Sequence, residues 1–406
     1  MSQTIIDLEG RYLVQTYKRA PFVLERGEGM WLYDTEGHRY LDFLSGIAVN
    51  ALGYGDPQIL AAIEDQANRL LHVSNLYHTL PHVELARLLV EHSFADRVFF
   101  CNSGTEAVEG ALKFARKWAV NGFGAEKHEI VAFTGSFHGR TMGALSITSK
   151  EKYRQPFEPL VPGVRFTPFN DLEAAAEAIR DEVCAVIVEP LQGEGGVNVA
   201  EKGFLQELRD LCDQHQALLI FDEVQCGLGR TGTLWAHEYY DVTPDLMTLA
   251  KPLGGGLPIG AVLATEEVAR VLEPGDHGST FAANPLICRV AQVVFNRIKE
   301  SAFLESVRAK GEYLRGELED LQAESGLITQ VRGRGLMWGL ELTVEADQVV
   351  QRGYREGIIV GTAGERILRL LPPLIVEREH IDLVVEKLAK VFRELEAHDD
   401  QESASR

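Results

Sequence analysis

Lys251 sits where lysines are rarely found. It follows the apolar run Leu246–Ala250 and precedes Pro252, Leu253 and three glycines, Gly254, Gly255 and Gly256. Lysine ordinarily keeps its amine in water, and partial burial at a strand end lowers its pKa and favours the free base. A free amine can form a Schiff base with a carbonyl. The glycines would let the backbone pass close to a bound ring or phosphate. A second apolar run, Leu218–Phe221, ends at Asp222 and continues Glu223-Val224-Gln225. A carboxylate at a buried strand end costs free energy unless a cation or donor faces it. Asp222 therefore asks for a partner, or else caps a loop.

Three further turns follow apolar runs. Val98–Cys101 leads into Asn102-Ser103-Gly104-Thr105-Glu106 at an expected helix start. Backbone N–H groups and hydroxyls there suit a phosphate, or form an ordinary cap. Ile130–Phe133 leads into Thr134–Thr141, which gathers Phe137, His138 and Arg140 between glycines. The plainer reading of that stretch is a buried-Phe turn with a surface arginine. Val183–Val188 leads into Glu189-Pro190-Leu191-Gln192-Gly193-Glu194-Gly195-Gly196. Residues 227–232 match G-x-G-x-x-G, a dinucleotide fingerprint. Glu223 to Cys226 separate the match from its strand, and Thr233-Leu234-Trp235 opens a helix poorly. No acidic residue closes a second strand about 20 residues on, so this lone match carries little weight.

These turns need a scaffold, and ligands in open α/β sheets bind beyond the strands' carboxyl ends. Apolar strands are expected at 97–101, 130–133, 183–188, 217–222, 246–250 and 260–264, with helical patterns at 104–119, 171–181 and 203–215. Such alternation implies a parallel sheet covered on both faces. Before it come a hairpin over 30–43 and an amphipathic helix from Pro57, with Ile59, Leu60, Ile63, Ala67, Leu70 and Leu71 on one face. A further helix starts near Pro81. Later come helical patterns at 285–299 and 302–324, strands at 336–340 and 367–370, and a helix ending near Ala397. The polar tail after it is expected to be disordered.

Composition narrows the function. Sixty acidic residues against forty Lys and Arg leave a net charge of -20. That excess argues against nucleic acid and against anionic membranes. The apolar runs are too short for a bilayer, which needs about 20 residues. The N-terminus lacks signal-peptide character, so a cytoplasmic location is expected. The five cysteines are widely spaced and read as free thiols in a reducing compartment. Of the twelve histidines only His78 and His82 stand at H-x-x-x-H spacing, and no metal site is expected.

Taken in order, Asn102–Ala107, Phe137–Thr141, Glu189-Pro190 with Gln192–Gly196, Asp222–Gln225, Lys251 with Gly254–Gly256, and Gly278–Phe281 resemble the class III (ornithine-type) aminotransferases from about residue 15 to 395. The resemblance implies pyridoxal 5'-phosphate on a fold-type I α/β scaffold. A large domain with a mostly parallel sheet covered by helices would join a smaller α+β domain. The division would be 1–55 with the small domain, 56–300 as the large domain, 301–396 as the small domain and 397–406 as tail.

It also implies roles. Lys251 resembles the Schiff-base lysine and proton shuttle. Asp222 resembles the partner of the ring nitrogen, and Gln225 that of the phenolic oxygen. Phe137 would stack on the ring, while Ser103, Gly104 and Thr105 would hold the phosphate. Thr280, with Ser279, would reach that phosphate from a partner subunit, giving a homodimer with shared sites. His138, Glu189, Glu223 and Val224 complete the implied cofactor set. Arg140, Glu194, Ser279 and Arg369 form the implied substrate set, in which Arg369 grips the α-carboxylate of glutamate and 2-oxoglutarate and Glu194 gates it.

The Gly46–Gly53 stretch, which has no tyrosine near Ser45, resembles the branch that moves the terminal amine of N-acetylornithine to 2-oxoglutarate. Departures from the family pattern are Val108, Gly110, Ala282-Ala283 and Pro252. Pro252 should push Lys251 towards an extended backbone. Rivals are a sister ω-aminotransferase acting on ornithine, succinylornithine, 4-aminobutyrate or carrier-linked lysine, a nicotinamide-dependent oxidoreductase, and a non-catalytic binding protein on this scaffold.

Overall fold

The computed structural model describes residues 2–404, with side chains to residue 397. The six apolar runs become strands of one seven-stranded sheet. Across it lie Arg97–Cys101, Gly260–Ala264, Leu246–Leu249, Leu218–Asp222, Val183–Val188, Glu129–Phe133 and Val164–Thr167. Gly260–Ala264 alone runs against its neighbours, so the sheet is mostly parallel. Val164–Thr167 was not expected. It is a half-buried edge strand, and Arg165 interrupts its apolar pattern.

Period two sorts the side chains between two helical layers. Ile130, Ala132, Leu218 and Ile220 pack with Val108, Ala111 and Ala115 of the helix Gly104–Phe123. Val131, Phe133, Leu219 and Phe221 pack on the opposite face with Phe204, Leu205 and Leu208 of the helix Lys202–Gln214. Val183–Val188 is buried along its whole length because both faces are covered. Each fully buried Leu or Phe here contributes about 1.5–3 kcal/mol. The two layers therefore hold the strand ends rigidly.

A third core joins the helices Pro57–Ala67, Leu80–Glu91, Pro285–Ile298 and Ser301–Glu324 to a second sheet. That sheet has the order Ile328–Arg334, Met337–Leu342, Ile367–Leu370, Gly361–Thr362. The expected hairpin forms from Trp31–Asp34 and Arg39–Asp42, and Ile358–Ile359 pairs in parallel with its second strand. Residues far apart in the chain thus share one sheet.

Two boundaries differ from expectation. The helix from Pro57 ends at Ala67, and Leu70 and Leu71 lie exposed beyond it. The Asn68 side-chain amide donates to the Glu64 carbonyl and competes with the helical ladder. The last helix, Arg378–Ala404, runs past Ala397 through most of the stretch expected to be disordered. No glycine or proline lies there to stop it. Residues 405–406 of that tail lie outside the described residues.

Candidate active site

The carboxyl ends of the central strands open on one cavity of about 430 Å³. Arg97–Cys101 delivers Ser103, Gly104 and Thr105 to its wall. Ser103 caps the helix Gly104–Phe123 by accepting from the Glu106 N–H, and the Glu106 carboxylate accepts from the Asn102 N–H at 2.6 Å. This reciprocal cap fixes the turn. The N–H groups of Gly104 and Thr105 find no acceptor among the described residues. They sit at the positive end of a 20-residue helix. Gly104 is required for packing, because a Cβ there would meet Val224 at 2.7 Å.

Glu129–Phe133 leads to Phe137, His138 and Arg140, all on the cavity wall. Val183–Val188 leads to Glu189 and Glu194, also on it. The Glu189 carboxylate accepts from the Phe137 N–H at 2.9 Å and the Gly193 N–H at 3.2 Å, tying two loops together. Burial, with help from the Asp222 charge, pushes the Glu189 carboxyl up.

Leu218–Asp222 ends at the most densely bonded group of the site. Asp222 is buried and accepts from His138 Nδ1 at 2.7 Å, Thr248 Oγ1 at 3.0 Å and the Val224 N–H at 3.1 Å. The partner that its burial demanded is therefore threefold. Burial alone would lower the His138 pKa, but its bond to Asp222 and the Asp222 charge raise it instead. His138 Nε2 is buried and has no partner. Thr248 was missed in the sequence because it sits inside an apolar strand, Leu246–Leu249, as a buried hydroxyl. Thr148, which accepts from the His138 N–H at 3.0 Å, left no sequence signal either.

Lys251 also lines the cavity. Its backbone is not extended as Pro252 suggested. Its φ is +32° and it opens a single 3-10 turn, Lys251–Gly254. A non-glycine residue there stores about 1–3 kcal/mol of strain. Burial is the main cause that lowers the Lys251 pKa, and the Arg369 charge adds to it, against the acids Glu194, Asp222 and Glu189. Of the three following glycines only Gly256 lines the cavity, while Gly255 packs against Ile59 and Val294. The close approach expected for all three thus holds at one.

Arg369 stands behind this wall on the strand Ile367–Leu370. Its NH1 donates to Glu194 Oε1 at 2.5 Å and Gln225 Oε1 at 3.3 Å. Burial would raise the Glu194 pKa, but the charge and hydrogen bond of Arg369 hold it below the usual range. Gln225 and Val224 complete the floor. Glu223 does not line the cavity. Its carboxylate is consumed by the Ala236 and His237 N–H groups and by His237 Nδ1, at 2.7–2.9 Å. Adjacent residues after a strand end point in opposite directions, which separates it from Asp222. Ser279 and Thr280 also lie off the wall. Ser279 Oγ accepts from Asn102 at 2.8 Å, and Thr280 is exposed.

The dinucleotide-like glycines are filled by protein. Gly229 and Gly232 abut Ile298, Leu374 and Arg308, with no room for a pyrophosphate. Among the described residues no cluster of ligands suits a metal, and no helix is long and apolar enough to cross a membrane.

The family described as aminotransferase class-III matches residues 12–392. The chain belongs to the class-III aminotransferases. The acetylornithine aminotransferase of Methanocaldococcus jannaschii is 50% identical over 96% of this chain and 98% of that one. The solved N-acetylornithine aminotransferase of Stenotrophomonas maltophilia K279a is 39% identical with a TM-score of 0.84, covering 97% and 100% of the two chains. The ornithine aminotransferase of Toxoplasma gondii ME49 is 33% identical with a TM-score of 0.94, covering 98% and 96%. As a class-III aminotransferase the protein is a transaminase of fold type I that uses pyridoxal 5'-phosphate.

The cavity fits that cofactor. Two free N–H groups at a helix start suit its phosphate, a bonded carboxylate suits a protonated ring nitrogen, and a desolvated lysine suits its carbonyl. A lowered Lys251 pKa has a measurable consequence. The neutral amine is the reactive form, so its share grows as pH rises through the pKa. Reconstitution of cofactor-free protein should therefore accelerate with a midpoint below lysine's ordinary 10.5. Stopped-flow absorbance against pH measures it, and a midpoint at or above that value would contradict the desolvated amine.

Proposed function

We propose that the enzyme moves the terminal amino group of N-acetylornithine to 2-oxoglutarate. The products are N-acetylglutamate semialdehyde and glutamate, a step of arginine synthesis. The observation that carries this reading is the pair of arginines at one cavity. Arg140 lines it and has no anionic partner among the described residues, whereas Arg369 is neutralised by Glu194. A donor with a carboxylate remote from its reacting amine has Arg140 to bind. A 2-oxo dicarboxylate has Arg369, once Glu194 yields it. The relatives named for acetylornithine support the same donor, as does the stretch Ser45–Leu52, which offers no tyrosine for a free α-amino group.

In this reading Ser103, Gly104 and Thr105 bind the cofactor's phosphate and Phe137 covers one ring face. Gln225 donates to the phenolic oxygen, and Asp222 holds the proton on the ring nitrogen. When bound, pyridoxal phosphate supplies a carbonyl for amine exchange and a ring that draws electrons from the reacting carbon. Lys251 Nζ, whose pKa burial lowers, takes the proton from that carbon and returns it. Val49, Leu257 and Ile259 wall the cavity with apolar surface and limit water.

Thr280 and Ser279 of a second copy complete the phosphate contacts, so the active form is a homodimer. Exposed Thr280 and Phe281 are consistent with that arrangement. The division into a large domain, 56–300, and a small domain built from 1–55 and 301–396 belongs to the same reading, as does a cytoplasmic location.

A donor panel tests the proposal. N-acetylornithine, succinylornithine, ornithine, lysine and 4-aminobutyrate are compared by the loss of the bound cofactor's absorption band. N-acetylornithine should show the highest kcat/KM. A higher value with ornithine, lysine or 4-aminobutyrate would overturn the donor assignment.

A further inference from the structure

The two arginines are held in opposite ways. Arg369 has one terminal nitrogen occupied, NH1 against Glu194 at 2.5 Å and Gln225 at 3.3 Å, while its buried Nε has no partner. Arg140 makes no hydrogen bond or ion pair among the described residues. Its guanidinium instead lies over the ring of Tyr153, 3.6 Å from the centroid. The Phe137 ring stands edge-on to Tyr153 at 6.5 Å, and Arg140 is 5.6 Å from the Phe137 centroid. Tyr153 is half-buried on the short helix Glu151–Arg154, beside the cavity rather than in its wall.

Stacking engages the face of a guanidinium and leaves its in-plane donors free. A carboxylate partner would do the reverse. Arg140, which lines the cavity, is thus restrained without being neutralised, and its in-plane donors have no partner among the described residues. Held this way, it loses less side-chain entropy when a carboxylate arrives. Lys150 Nζ, 5.2 Å from the same ring, adds positive charge on this side. Among the described residues neither Lys150 nor Arg140 forms an ion pair, in contrast to Arg369 with Glu194.

We propose that Tyr153 is a positioning residue for the donor: its ring presents the Arg140 edge to the carboxylate of the amino donor and sets donor preference, while leaving the 2-oxo acid site alone. The inference rests on the reading that Arg140 binds the donor. It goes beyond that reading by making one carboxylate site permanently open and the other gated.

The test compares Tyr153→Leu, which removes the ring, with Tyr153→Phe, which keeps it, in the cofactor-loaded enzyme. Calorimetry gives the Kd of N-acetylnorvaline, which has the donor's carboxylate but no reacting amine. Steady-state kinetics give KM for N-acetylornithine and for 2-oxoglutarate. Tyr153→Leu should raise the analogue's Kd and the donor KM about tenfold. It should hold the 2-oxoglutarate KM within about twofold, and Tyr153→Phe should retain most of the affinity. Unchanged donor binding in Tyr153→Leu, an equal rise for both substrates, or a Phe variant as weak as Leu would each overturn the inference. Arg140→Ala separates the two levels. If it leaves the donor KM unmoved, the underlying reading fails. If it raises that KM while Tyr153→Leu does not, the positioning role alone fails.

Discussion

Lys251→Ala is expected to yield a folded protein that holds no covalently attached cofactor and turns over at least about 10⁴-fold more slowly. Two roles converge on one nitrogen, the covalent tether and the proton carrier, so neither can be covered by a neighbour. Arg369 is a permanent cation, and Glu194 is engaged by it. His138 is occupied on Nδ1 by Asp222. None of these supplies a neutral amine at the same wall. The fold should tolerate the change, because Pro252, Leu253 and Gly254 remain buried and keep the turn. Borohydride reduction followed by peptide mass spectrometry checks the tether. The parent should gain the cofactor's mass at Lys251 and the variant should gain none. A variant that still retained a reducible cofactor would refute the assignment.

Asp222→Asn is expected to lower turnover about 10³-fold while the cofactor still binds. The substitution keeps the shape and removes the charge. An amide oxygen can still accept from Thr248 Oγ1 and the Val224 N–H, which hold Asp222 Oδ1 at 3.0 and 3.1 Å. What disappears is the anion that would keep the ring nitrogen protonated. The anion also raises the His138 pKa, against burial that lowers it. With Asp222 neutralised, burial is opposed only by the Glu189 charge, so the His138 pKa should fall. Single-turnover absorbance measures the rate, and a near-parental rate would remove Asp222 from the electron-sink role. Asp222→Ala is the harsher change, since it also leaves the Thr248 and His138 donors unsatisfied in a buried site.

Much of this site was legible because its residues break the pattern around them. Lys251 after Leu246–Ala250, Asp222 after Leu218–Phe221 and Glu189 after Val183–Val188 are charged groups at the ends of mostly apolar strands. The period-two core then brings those ends together, as the alternation of strands and helices implied. Boundaries were less legible. Leu70 and Leu71 continued a helical pattern that Asn68 ended through a local side-chain bond. The tail after Ala397 read as disordered from its polarity, although nothing in it breaks a helix.

The sequence by itself determined the fold class, the family resemblance and the cavity-lining roles proposed for Lys251, Asp222, Phe137 and Gln225. Lys251 and Asp222 stand out by local character, an apolar run and then a polar side chain, whereas the roles of Phe137 and Gln225 come from the family resemblance. Only the tertiary structure decided which neighbours act on them. Thr248 inside a strand, His138 across from Asp222, Glu194 against Arg369 and Tyr153 beneath Arg140 are all contacts between distant segments. It also turned Glu223 away from the cavity and gave Lys251 a left-handed backbone that Pro252 did not foretell. Such pairings depend on how strands and loops stack in space. Spacing along a chain fixes which face a residue takes, but not what will stand opposite it.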